Sequence, residues 1–309
     1  MQKFNPIAPE RRASKVRIGT TAPERSRSVL NPVHEGNDPA PSGNDYRYKR
    51  VTPKVLMSDF RFKKTAPRAG DPLPELELVT TRGEPIKTTD LFGPKPLLLV
   101  LGSVSCPMTA SSIAPLKRLY AEFGEKVAFL TLYVREAHPA EHYPQPETAE
   151  EKLAHARILK EQHEIPWTVA ADDIDGTLHR GLDSKPNAAY LIDVDGTIAF
   201  RALWAGDEAG LRRALASVSH GDKPTKPQSR ALFGPLAKGM GYFQQVLDRA
   251  GPQAQRDMLR AAPPILLVGR VAALFRPLPL ERRGLAALLT IAGSAAVAIG
   301  AGLAWFGLQ

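Results

Sequence analysis

The one cysteine of the chain, Cys106, is the residue best placed to do chemistry. It stands in Gly102-Ser103-Val104-Ser105-Cys106-Pro107-Met108-Thr109, directly after an apolar run over 97–101. That run has the length and composition of a strand buried on both faces. Pro107 suits the first position of a helix, where its missing N–H would have had no partner. Beyond it Ile113, Leu116, Leu119, Tyr120 and Phe123 recur at helical spacing. The sulfur is therefore expected where a buried strand hands over to a helix N-terminus, with free N–H groups and the helix dipole lowering its pKa. A lone cysteine is more often a small buried hydrophobe. The junction is what argues for a nucleophile.

With one cysteine there is no internal disulfide, and Thr109 occupies the place of a resolving Cys-x-x-Cys partner. An oxidised Cys106 must be reduced by an external thiol. Two copies of Asp-x-Asp-Gly-Thr, at 173–177 and 193–197, match the signature of haloacid-dehalogenase-type phosphatases, which need paired carboxylates and Mg²⁺ at a strand end. Asp-Gly between two apolar runs is equally an ordinary hairpin turn, and the chain beyond is too short to complete a phosphatase. The histidines are scattered, so no metal site is indicated.

The elements that must position Cys106 follow from the rest of the chain. Of 309 residues, 43% are hydrophobic, enough for a real core, while 28 prolines and 24 glycines interrupt regular structure. The net charge of +9 is concentrated near the N-terminus: residues 1–70 hold 15 Lys/Arg against 6 Asp/Glu. Residues 1–66 read as a disordered basic tail, without the aromatic interleaving of a nucleic-acid arm and without a secretory signal. Residues 67–219 read as one α/β domain. It has a short strand near Leu76–Thr80, the cysteine strand and helix, a buried strand over 127–134 and a helix over 149–162. A strand over 165–170, a hairpin across Asp193-Val194-Asp195-Gly196 and a helix over 208–217 complete it. Residues 220–283 read as a linker and juxtamembrane segment with one helix near Tyr242. Residues 264–269 are placed along a membrane interface.

Residues 284–308 carry no charge, are long enough to span a bilayer, and follow Arg270, Arg276, Arg282 and Arg283. They read as a single-pass C-terminal anchor with the larger part of the chain in the cytoplasm. Ala296 and Gly300 have the small-xxx-small spacing of paired membrane helices, and so allow a homodimer.

Taken together, these features resemble the thioredoxin superfamily: a mixed sheet flanked by helices, with the nucleophile at the carboxyl end of a central strand. The finer pattern is similar to iodothyronine deiodinases and their redoxin-like relatives. Gly70-Asp71-Pro72-Leu73-Pro74 resembles a redoxin opening, and Gly102 to Pro107 resembles the deiodinase active-site segment with Cys106 at the selenocysteine position. Tyr133-Val134-Arg135-Glu136-Ala137-His138-Pro139 resembles the family's Tyr-Ile-Glu-Glu-Ala-His-Pro. The resemblance implies Cys106 as nucleophile and Tyr133, Glu136 and His138 as a proton relay. Ser103 and Ser105 would serve the thiolate or cap the helix, and Pro186 is the candidate for the fold's proline before the hairpin. Two departures stand out. The family's auxiliary cysteine is Val104 here, and its second histidine falls on Pro146.

The reaction implied is thiol-dependent reductive attack on a soft electrophile, with no bound cofactor and a thiol reductant of glutathione or thioredoxin type as partner. Two other readings remain open: a one-cysteine peroxidase or thiol reductase acting on a peroxide or disulfide, and a non-enzymatic membrane-anchored redox sensor or scaffold.

Overall fold

A computed structural model describes residues 46–307; the basic stretch before it, expected to be disordered, lies outside the described residues. The centre is an eight-stranded mixed sheet of order β2-β1-β5-β4-β3-β6-β7-β8. Its strands are β1 (Glu77–Thr80), β2 (Pro85–Lys87), β3 (Leu97–Gly102), β4 (Ala128–Tyr133), β5 (Thr168–Ala171), β6 (Ala189–Ile192), β7 (Ile198–Ala202) and β8 (Gln228–Ser229). Strands β3, β4 and β5 run parallel, while β6 joins the other side of β3 antiparallel and forms the expected hairpin with β7. This is a thioredoxin-like fold, and β3 is its central strand.

Every residue of β3 is buried, but its two faces do different work. Leu98 and Val100 enter a core shared with α2 (Pro107–Phe123), α3 (Ala149–Gln162) and α5 (Glu208–Ser219). Leu97, Leu99 and Leu101 enter a second core on the opposite face, closed by α4 (Thr177–Gly181) and by Leu73. A period-two pattern is invisible in an unbroken leucine run, because both faces are covered.

Three expectations need correction. Residues 46–66, read as part of the tail, are built into the domain. Tyr46 Oη lies 2.8 Å from His179 Nδ1, Val51 N–H donates to Asp257 Oδ2 at 3.1 Å, and Pro53–Ser58 forms helix α1. The polar composition hid this, because only Tyr46, Val51 and Ala66 are buried. Residues 220–283 are no linker either. They fold into α6 (Phe233–Ala250), α7 (Pro252–Ala261) and α8 (Pro263–Leu274), with their own core of Phe243, Leu247, Ala254, Met258 and Leu266 against Val51 and Ala140. Residues 264–269 belong to α8, where Leu266 and Gly269 are buried in the chain's own packing and Leu267 is exposed.

The third correction concerns 284–308. Most of this stretch is helix, α9 (Leu280–Gly307). Among the described residues, however, no helix is long and apolar enough to cross a membrane. Its opening turn carries Glu281, Arg282 and Arg283, and Glu281 pairs with Arg118 at 3.4 Å. Gly284 and Ala287 are buried, and α9 crosses α6 backbone to backbone. A Cβ on Gly241 would lie 1.8 Å from the Leu280 carbonyl oxygen, and one on Gly284 would lie 1.9 Å from that of Ala237. The small residues that pack this helix onto its own chain are Gly284 and Ala287, while Ala296 of the expected pairing motif is exposed, and the cytoplasmic placement inferred from the anchor loses its basis.

Candidate active site

Two neighbouring loops at the carboxyl ends of β3 and β4 carry the residues in question, the position where open sheets hold their sites. Gly102 and Tyr133 end these strands as register partners. After Gly102 the chain turns so tightly that a Cβ there would sit 2.9 Å from Thr109 Cγ2. Cys106 is the N-cap of α2, with Pro107 in its first turn, as the sequence required. Two serine hydroxyls join the loops: Ala137 N–H donates to Ser103 Oγ at 3.3 Å, and His138 N–H to Ser105 Oγ at 3.2 Å.

A buried carboxylate anchors this junction. Glu136 has no exposed surface. It accepts hydrogen bonds from Tyr133 Oη, from Ser105 N–H at 3.2 Å and Ser105 Oγ at 2.5 Å, and its Oε1 lies 3.0 Å from His155 Nδ1. Tyr133 Oη in turn accepts from Val104 N–H at 3.2 Å. Gln145 holds the Glu136 backbone on both sides, accepting from its N–H at 2.9 Å and donating to its carbonyl at 2.8 Å. Burial and the adjacent Glu136 push the Tyr133 phenol well above its ordinary pKa, so it remains a donor.

The sulfur and the imidazole of His138 belong to a different environment. Both line a cavity of about 60 Å³, together with Asp59, Phe60, Met108, Pro186, Trp204, Met240, Phe243 and Met258 among others. The His138 ring packs edge-on against Phe243, centroids 6.1 Å apart, and its Nδ1 has no hydrogen-bond partner among the described residues. Helices α6 and α7 thus cover the site from outside the sheet.

That cover reverses the sequence expectation about ionisation. Burial pushes the Cys106 thiol up to about 11, against the opposing pull of Thr109 and Met108, whose hydrogen bonds favour the thiolate. Desolvation outweighs the helix terminus. Burial alone pulls His138 down to about 4, so its ring is neutral at pH 7 rather than poised there.

The expected nucleophile and its three expected relay residues therefore divide. Tyr133 and Glu136 brace the loops from within, while Cys106 and His138 face the cavity. Ser103 and Ser105 hold the loops rather than merely capping the helix. Thr109 binds Ser103 N–H through its hydroxyl at 3.3 Å and also supports the sulfur. Pro186 lines the cavity, and no peptide bond among the described residues is cis.

Sequence reasoning missed His155, whose imidazole reaches the buried Glu136 carboxylate. Its signal was its place on α3 beside Ala156 and Leu159, on the buried face. Asp59 and Trp204 were missed because they lie in segments read as tail and as ordinary strand end. The two Asp-x-Asp-Gly-Thr copies close turns. Asp173 Oδ1 accepts from Thr177 N–H at 3.1 Å, and Asp195 Oδ1 from Thr197 N–H at 2.9 Å.

The sequence pattern of the iodothyronine deiodinase family matches residues 46–201, half of the chain. The chain belongs to this family. The matched segment holds both loops and all of the Tyr133–Glu136–Ser105–His155 network, but ends before Trp204 and the covering helices. Thyroxine 5-deiodinase of Sparus aurata is 27% identical over 136 residues, 41% of this chain and 46% of that protein. That of Rattus norvegicus is 29% identical over 103 residues, 30% of this chain and 34% of that protein. The chain thus spans less than half the length of these deiodinases. Among solved structures it is similar to an uncharacterized conserved protein from Geobacillus kaustophilus, with TM-score 0.45 and 16% identity over 55% of this chain and 90% of that one. Peroxidoxin BcpB from Mycobacterium tuberculosis gives TM-score 0.38 and 16% identity, covering 48% and 95%.

Proposed function

We propose that this deiodinase-family protein is a thiol-dependent reductase whose Cys106 removes a soft electrophilic atom from a compact apolar molecule. The observation that carries the reading is the shared cavity: Cys106 and His138 line one apolar space, braced by the buried Glu136 network. For a substrate R–X with X a halogen, the Cys106 sulfur takes X, the R–X bond breaks and its electron pair stays on R. R then takes the proton that the thiol gave up, leaving R–H and a sulfenyl halide. An external thiol displaces halide to form a mixed disulfide, and a second thiol releases Cys106. Thr109 and the first N–H groups of α2 stabilise the sulfur as it gains negative charge. The mostly apolar lining disfavours water, which would compete for the sulfenyl halide.

The test is halide release from iodinated and brominated aromatic compounds with glutathione or dithiothreitol present, Cys106→Ser serving as control. Release that depends on Cys106 supports the reading. Consumption of peroxide without halide release would instead assign the protein to the peroxidases. Neither activity, with Cys106 inert to alkylation even when the protein is native, would leave the scaffold reading.

A further inference from the structure

Trp204 lines the cavity beside Cys106, and like His138 on the same lining it carries a buried polar atom with no partner among the described residues. Trp204 follows β7, is 4% exposed, and its indole Nε1 has no hydrogen-bond partner among the described residues. An indole N–H can only donate, and leaving it buried and unpaired costs about 1–3 kcal/mol. The contrast within the molecule is direct. Trp167, equally buried, donates its Nε1–H to Thr131 Oγ1 at 2.9 Å. Trp204 lacks any such acceptor among the described residues, and much of the cavity lining is methionine and aromatic surface. Met108, Met240, Phe243 and Met258 supply it.

We infer that Trp204 is a specificity-determining residue, donating its indole N–H to an acceptor oxygen on a compact, otherwise apolar substrate whose reactive atom meets Cys106. This rests on Cys106 being the reacting group, as proposed above, and adds what the substrate must carry. A carbonyl, ether or nitro oxygen would satisfy the donor. A pure hydrocarbon skeleton would leave it unpaired, and sites built to pair a buried group discriminate strongly against ligands lacking the complement. A cavity of about 60 Å³ admits only a few heavy atoms without adjustment. Ring-sized ligands enter by displacing methionine side chains, which are unbranched and adapt readily. Three of the surrounding residues are methionines. Met240 and Met258, like Phe243, lie on helices outside the family-matched segment, so this part of the specificity belongs to this chain's own C-terminal region.

Two alkylating probes separate the contributions on the full chain. Phenacyl bromide presents a carbonyl beside its reactive methylene, and benzyl bromide presents none. In both, sulfur bonds to the methylene carbon as the carbon–bromine bond breaks, bromide leaves and the thiol proton passes to solvent. Rates at Cys106, read by mass spectrometry, are divided by those with glutathione. The expected result is a normalised phenacyl-to-benzyl ratio of about ten in the wild type, falling to about one in Trp204→Phe; about 1.4 kcal/mol corresponds to that factor. A normalised ratio near one in the wild type, or one unmoved by Trp204→Phe, overturns the inference while leaving Cys106 reactive. Silence of Cys106 toward both probes overturns the proposed function as well. Should Trp204→Phe fail to fold, the wild type decides by NMR. Unreactive acetophenone must shift the Trp204 indole proton downfield, and ethylbenzene must not; equal responses to the two overturn the inference.

Discussion

His155 Nδ1 lies 3.0 Å from Glu136 Oε1, joining helix α3 to the loop after β4 across 19 residues of chain. Glu136 is wholly buried, whereas the His155 side chain is 13% exposed, so the imidazole is the edge of the network nearest solvent. His155→Phe should cost about 1–3 kcal/mol, because a buried carboxylate loses a partner. His155→Gln keeps a donor and should cost less. Urea denaturation measures both, and equal losses would show that this hydrogen bond does not hold the loop.

Glu136 gathers Tyr133, both donors of Ser105 and His155 around one carboxylate. Glu136→Gln turns half of that acceptor into a donor facing donors. A loss of about 3 kcal/mol is expected, in the range for breaking a buried charged network. Tyr133→Phe removes one member without reversing any polarity and should lose about half as much. The same unfolding curves order the two variants, and the reverse order contradicts the geometry.

The thiol offers a direct reading of the covered cavity. With Cys106 pushed up to about 11, only about one molecule in 10⁴ holds a thiolate at pH 7. Iodoacetamide labelling of the native protein should therefore quicken about tenfold per pH unit and keep climbing past pH 9. A plateau near pH 7 would mean that the helix terminus, rather than burial, governs the sulfur.

Two groups lining the cavity give opposite pH dependences of stability. His138 is held down at about 4 against 6.5 for an ordinary histidine, so its contribution is complete above pH 6.5 and is lost as pH falls toward 4. Asp59, at the rim of the same cavity, is raised by burial to about 7 from 3.8, Lys185 and Arg135 pulling the other way. Its contribution is complete below pH 3.8 and is lost as pH rises through 7. Asp59→Asn should make stability rise more steeply between pH 4 and 6.5, because the opposing slope is gone. Thermal melts across that window check it, and an unchanged slope would count against a raised Asp59.

Phe243→Ala removes the ring packed on His138. A cost of about 3–5 kcal/mol is expected for a buried phenylalanine. As water enters, His138 should titrate nearer 6.5 in an NMR pH series, and Cys106 should label faster at pH 8 than in the wild type. A destabilised protein with His138 still near 4 would place the cover elsewhere.

The centre of the fold was legible because its signals are local. Pro107 after Cys106 marked the helix start, the 97–101 run marked the strand, and Asp195-Gly196 marked the hairpin. Thr148 and Glu151 likewise form the capping box that starts α3. What escaped was long-range. Nothing near Tyr46 announces His179, and nothing near Val51 announces Asp257. The thiol's ionisation was misjudged for the same reason. The helix N-terminus that favours a thiolate is written beside Cys106, while the residues that desolvate it, Phe243 and Met258 among them, come more than a hundred positions later. The apolar run after Arg283 was long enough for a bilayer, and only the close approach of Gly284 to Ala237 revealed a packing role for its start.

The crossing of α6 and α9 at Gly241 and Gly284 has a mechanical consequence. Helix α6 carries Met240 and Phe243 over the sulfur, and its neighbour Gly241 is the point where α9 bears on it. Force applied far along the C-terminal helix is thus delivered one residue from the roof of the reaction chamber. A side chain as small as a methyl at either glycine would pry the two helices apart and lift that roof.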